Sequence, residues 1–168
     1  MSGNAPLALI FLLSYEFSAD GWRETVQDIC TLMDDHEAIE AVADQLIQCA
    51  RPGGGSAEEC HLLLCSFKTR LISHRAAEAG FLQSGSGRGP TDPFEAELRA
   101  LQDDFSELAD SWASYLEFWT VAAITENRAA FGQETTDMMT AFKLRIDRER
   151  RVTYPLALET GRIARHES

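Results

Sequence analysis

Two histidines, two glutamates and one arginine hold the residue types and spacings in this chain that suggest chemistry. His36 lies in Leu32-Met33-Asp34-Asp35-His36-Glu37-Ala38-Ile39. His74 and Glu78 belong to His74-Arg75-Ala76-Ala77-Glu78, and Arg145 and Glu149 are the ends of Arg145-Ile146-Asp147-Arg148-Glu149. Four-residue spacing puts each of these two pairs on one face of a helix. Two imidazoles and a carboxylate are the donor set of mononuclear non-haem iron, and zinc accepts the same set with a position left open. Without an ion the carboxylates need another counter-charge. Arg145 offers one, because a guanidinium is a permanent cation whose planar fork can bridge Glu78 and Glu149.

The elements that must position these groups are punctuated clearly. Asp20 is placed to cap a first helix that runs to Arg51, where Pro52-Gly53-Gly54-Gly55 stops it. Ser56 caps the second, with Glu59 completing a capping box, and that helix extends to about Leu82. Ser84-Gly85-Ser86-Gly87-Arg88-Gly89-Pro90 reads as a loop. Asp92 caps a third helix that has Pro93 at its first position. A soft break near Thr125–Arg128 precedes a fourth helix, which Pro155 is expected to end at Tyr154. No period-two alternation separates these signals.

Each helix carries an apolar seam at three- and four-residue spacing. The first is Ile29, Leu32, His36, Ile39, Ala43 and Leu46. The second is Cys60, Leu64, Phe67, Leu71, His74, Glu78 and Phe81. The third is Phe94, Leu98, Leu101, Phe105, Leu108, Trp112, Tyr115 and Trp119, and the fourth Phe131, Thr135, Met138, Phe142, Arg145, Glu149 and Val152. Four seams with short connections predict an all-α, up-down-up-down antiparallel four-helix bundle. In it, the polar interruptions His36, His74, Glu78, Arg145 and Glu149 share one region of the core. Residues 20–158 form the bundle, 1–19 an N-terminal packing segment and 159–168 a tail.

The 168 residues include 15 Lys+Arg and 27 Asp+Glu, a net charge of −12. That balance argues against nucleic acid and against an anionic membrane as partners. The apolar run Pro6–Leu13 is too short to span a bilayer, and no Lys or Arg precedes it as in a signal peptide. It is expected to pack on the domain or on a second copy, which makes a homodimer an option. Cys30, Cys49, Cys60 and Cys65 form no CxxC pair and read as reduced thiols of a cytoplasmic protein. A Cys49–Cys60 disulfide across the triglycine turn is the alternative. Zinc on Cys49, Cys60 and Cys65 is disfavoured, since residues five apart on a helix point away from each other.

The chain resembles the hemerythrin-like (HHE cation-binding) family of four-helix bundles. The stretch around His36 is similar to that family's leucine, acidic, His-Glu, isoleucine pattern. Leu71-Ile72-Ser73-His74-Arg75-Ala76-Ala77-Glu78 is similar to its L-x-x-H-x-x-x-E. Arg145-Ile146-Asp147-Arg148-Glu149, followed by Val152-Thr153-Tyr154-Pro155-Leu156, resembles its H-I-x-x-E with a tyrosine-proline end. The resemblance spans roughly Trp22 to Leu158 and implies a carboxylate-bridged di-iron centre with about five histidines. This chain has 4 histidines, of which His61 and His166 lie off the seams. Phe105 aligns with a ligand position, with Asp104 beside it, and Arg145 stands where the fourth helix should offer histidine.

Three readings follow: a full di-iron centre, one iron or zinc on His36, His74, Glu78 and Glu149, or a metal-free core in which Arg145 replaces the metal. The leading expectation is the last, a non-enzymatic regulatory or interaction module without cofactor that meets an unidentified protein partner. The alternative is non-haem iron, mono- or dinuclear, for oxygen, nitric oxide or redox sensing.

Overall fold

A computed structural model describes residues 29–83 and 93–159, and these are all-helical, with no strand. In chain order they form α1 (Ile29–Ala50), α2 (Ala57–Gln83), α3 (Pro93–Phe118), α4 (Val121–Glu126), α5 (Arg128–Arg148), a π-helical turn (Glu149–Thr153) and α6 (Tyr154–Glu159). The Asp20 cap, the Pro6–Leu13 run, the 84–90 loop, Asp92 and His166 lie outside the described residues. So do the side chains of Phe81, Leu98, Leu101, Asp104 and Phe105. Among the described residues, no helix is long and apolar enough to cross a membrane.

The α1–α2 hairpin turns as its sequence dictates. Gly53 takes a left-handed φ of 74°, a region glycine enters without steric cost. The Ser56 hydroxyl accepts from the Glu59 N–H at 3.1 Å, and the Glu59 carboxylate accepts from the Ser56 N–H at 2.6 Å. The capping box is therefore reciprocal. Cys49 and Cys60 are joined by a disulfide across this turn, while Cys65 is free and exposed. The reading of all four as reduced thiols is thus corrected for this pair. The two cysteines fall on the facing sides of a tight antiparallel hairpin, which brings their Cα atoms to 5.7 Å, inside the range a disulfide requires.

Cross-helix contacts fix the directions. His36 meets His74 and Cys49 meets Cys60, so α2 runs antiparallel to α1. Lys143 pairs with Asp44 and Arg150 with Glu40, so α5 is also antiparallel to α1. Trp112 meets Phe142, and Glu97 accepts from Arg148 at 2.8 and 3.0 Å, so α3 and α5 oppose each other too.

Most described seam residues are buried; Leu108, Met138 and Arg145 are partly exposed and Val152 is exposed. Leu32, Ile39, Ala43 and Leu46 of α1 face Cys60, Leu64, Phe67 and Leu71 of α2. Phe67, Trp112 and Phe142 meet edge-on with ring centroids 5.2–5.4 Å apart, locking α2, α3 and α5 in one layer. Each such pair adds about 0.5–1.5 kcal/mol beyond its buried area.

Two boundaries differ from expectation. The third helix ends at Phe118, before the anticipated break, because Thr120 caps α4 by accepting from the Ala123 N–H at 3.3 Å. This kink lets Trp119 turn inward and donate its indole N–H to Glu134 at 2.8 Å. Asn127 then caps α5, accepting from the Ala130 N–H at 3.2 Å. At the other end, Pro155 does not stop the chain. The backbone widens into a π turn just before it, with the Tyr154 N–H donating to the Glu149 carbonyl. That extra spacing relieves the clash between the proline ring and the preceding turn. Four residues after Glu149, Thr153 is buried and Val152 is exposed. Met139 rather than Met138 is likewise the buried methionine of α5.

Replacing Ser56 with alanine should lower stability by about 1 kcal/mol, and replacing it with glycine by only a few tenths. Urea denaturation of the two variants measures this directly.

Candidate metal centre

Three donor atoms converge inside the helical core. His36 Nε2 is 3.1 Å from His74 Nε2 and 3.0 Å from Glu149 Oε2, and His74 Nε2 is 3.8 Å from the same oxygen. All three residues are buried. The local sequence explains each placement: His36 and His74 sit on the inward seams of α1 and α2, and Glu149 opens the π turn at the end of α5. An ion bound at about 2.0–2.2 Å holds neighbouring donors about 3.0–3.4 Å apart; the two edges that meet at His36 have that length, and the His74–Glu149 edge, at 3.8 Å, is longer.

Glu78 is the fourth sequence candidate, and it stands beside the triangle rather than in it. Its Oε2 accepts from Arg75 on the same helix and lies 3.9 Å from Arg145 Nη2, while its Oε1 accepts from the Tyr154 hydroxyl at 3.5 Å. Arg145 occupies the position anticipated for it. Its Nε is 2.8 Å from Glu149 Oε1, so the guanidinium reaches toward both carboxylates, and only 9% of the side chain is exposed.

Arg75 and Tyr154 complete the cluster and were not legible as site residues. Arg75 had a signal, since it lies three residues before Glu78 on one helix. Tyr154 had only its place in the tyrosine-proline end of the family pattern: five residues after Glu149, it belongs to another face of an α-helix, and the π turn brings it round. There its ring stacks on His36, with centroids 5.5 Å apart and planes 7° from parallel. Its hydroxyl lies 3.3 Å from His36 Nε2.

The electrostatics separate the two glutamates. Burial raises the Glu78 carboxyl above the ordinary range, and the charge of Glu149 raises it further, against the lowering influence of Arg75, His74 and Arg145. Burial is also the largest influence on Glu149, pushing it up. The imidazoles of His36 and His74 beside it and the charge of Arg145 outweigh it and hold Glu149 well below the usual carboxylate range. Burial similarly raises the Tyr154 hydroxyl, helped by the charges of Glu78 and Glu149. Tyr154 is therefore a neutral donor. Among the described residues, the δ nitrogens of His36 and His74 have no hydrogen-bond partner. The nearest carboxylate to His74 Nδ1 is Asp35, at 3.9 Å.

The remaining sequence candidates do not join. His61 is half-buried on α2 away from the cluster, and Cys49 and Cys60 are committed to each other. With Phe105 outside the described side chains, the donor group among the described residues is His36, His74 and Glu149. Comparison with known proteins adds no constraint: no family model, no curated protein and no solved structure matches this chain.

Two outcomes are expected. Arg145→Ala should cost about 3–5 kcal/mol in urea denaturation, because it leaves buried carboxylates under-compensated. Glu149 has its folded pKa depressed, so its stabilising contribution is complete above its ordinary value of 4.5 and is lost as pH falls below it. Glu149→Gln should accordingly flatten the acid limb of the stability–pH curve below about pH 4.5.

Proposed function

We infer that this protein is a hemerythrin-like, up-down-up-down four-helix bundle that binds one first-row metal ion, iron or zinc, on His36, His74 and Glu149. The observation that carries this reading is the convergence of two imidazole Nε2 atoms and one carboxylate oxygen, with separations of 3.0, 3.1 and 3.8 Å. Two neutral nitrogens and one anionic oxygen suit iron(II) or zinc and leave coordination positions for a small exogenous ligand. A bound ion would act as a Lewis acid at those positions. The protein's own part is to orient the donors. Arg145 fixes the second oxygen of Glu149, and the Tyr154 ring braces His36, in the manner of the outer partners that align metal ligands. Such a site fits a non-enzymatic binding or sensing role.

This order reverses the expectation from sequence, which put the metal-free module first. That module remains the second reading, and charge favours it: the carboxylates Glu78 and Glu149 are already matched by the guanidiniums Arg75 and Arg145. Replacing a counter-charge with an ion then has to be repaid by the three coordinate bonds.

Elemental analysis distinguishes the readings. The full-length chain is purified without chelators, incubated with iron(II) under anaerobic conditions or with zinc(II), and desalted. One metal per chain is expected, falling to background in His36→Ala and His74→Ala. No retained metal in the wild type would sink the proposal and leave the salt-bridged module.

A further inference from the structure

The metal reading leaves the Cys49–Cys60 disulfide without a role, yet its position bears on the two histidines. Cys49 lies 13 residues after His36 on α1, and His74 lies 14 residues after Cys60 on α2. At about 1.5 Å per residue the two arms measure about 20 and 21 Å. The antiparallel hairpin is thus a caliper of nearly equal arms, closed by a covalent bond at one end and by the His36–His74 contact at the other.

The disulfide adds a covalent link to a closed end that the turn also holds, through the Gly55 N–H donating to the Cys49 carbonyl at 3.0 Å. Facing seams of Ala43, Leu46, Leu64 and Phe67 are apolar and non-directional, so they tolerate axial slippage better than a bonded pair does. A slip of one residue moves an imidazole by about 1.5 Å, whereas ligand distances must hold within about 0.2 Å. The bond is also linked to the rest of the core. Arg128, at the start of α5, donates to the carbonyl of Cys49 and, at 2.8 Å, to that of Gly55. The turn over the sulfur is made of glycine backbone. A Cβ on Gly55 would stand 2.4 Å from Cys49 Sγ and 2.9 Å from Glu59 Oε2. Cys49 is half-buried and Cys60 is not exposed at all.

We propose that the Cys49–Cys60 disulfide is a redox control on the metal centre, holding α1 and α2 in the register that lets His36 and His74 share one ion. It rests on the metal-binding reading of that site. The chemistry is thiol–disulfide exchange with a dithiol reductant. A donor thiolate attacks Cys49 Sγ, the sulfur on the more accessible residue, and the S–S bond breaks with Cys60 leaving as thiolate and taking up a proton. The donor's second thiolate then attacks the mixed disulfide and releases Cys49, which is protonated in turn. Two electrons and two protons pass to the protein, and the donor leaves as its own disulfide. The reduced hairpin retains its capping box and turn hydrogen bonds and loses the cross-link between Cys49 and Cys60.

The test compares cobalt(II) affinity in two forms of the full chain, read from the visible ligand-field absorption. One form is oxidised; the other is reduced by a phosphine that is removed before anaerobic titration. Cys49→Ser/Cys60→Ser serves as a third sample, free of thiols at this turn. Binding at least tenfold weaker in the reduced and double-serine forms is expected. A smaller difference overturns the inference while leaving the metal site standing. Uptake by none of the three defeats the metal reading instead. The register is then read without metal, from the ring resonances of His36 and His74 assigned by their loss in His36→Ala and His74→Ala. Resonances that move on reduction keep the disulfide's control over the histidine pair, and resonances that superimpose overturn it.

Discussion

A carboxylate taken out of water must find cations or donors within a few ångströms, and Glu149 finds them on three elements. His36 comes from α1, His74 from α2, and Arg145 from one turn back on α5. Meeting that single requirement fixes much of the fold. Helices α1, α2 and α5 must approach one another at this height, with these faces turned inward, or a buried charge is left alone. The apolar seams supply the driving force for burial but little directional information. The polar cluster supplies direction, because ion pairs and hydrogen bonds fail within an ångström of misplacement.

The rest of the core holds that geometry from below. Phe67, Trp112 and Phe142 form an edge-on aromatic layer between the His36–His74–Glu149 cluster and the hairpin turn. Tyr115 and Thr135 add a buried hydroxyl pair at 2.6 Å between α3 and α5. At the periphery, Glu97 clamps Arg148 at the junction of α5 and the π turn, and the Thr153 hydroxyl lies 3.5 Å from the same carboxylate. Exposed ion pairs such as Arg151–Asp147 contribute little by comparison.

The π turn links local structure to the site. Wide turns of this kind are rare and concentrate at functional positions. Here the turn does three things in five residues. It opens at Glu149, carries the chain into Pro155 without a break, and rotates Tyr154 onto His36. An unbroken α-helix over the same residues would set Tyr154, five residues after Glu149, well off that face.

Much of this was written in residue types. The seam periodicity determined which faces of the helices are buried. Pro52-Gly53-Gly54-Gly55-Ser56 and Glu59 determined the hairpin. Arg145 at seam spacing from Glu149 announced an inward guanidinium, since a four-residue step leaves a side chain on the same face. Those are local rules, acting within a turn or two of helix, and sequence states them directly. The disulfide, the Tyr154 partner of Glu78 and the inward turn of Trp119 were decided by tertiary structure. So was the choice of which glutamate joins the histidines: Glu78 and Glu149 have the same side chain at equivalent seam positions. What separates them is how far each stands from guanidiniums and imidazoles on other helices. Coulomb and hydrogen-bond energies depend on those distances through space, and no spacing along the chain encodes them.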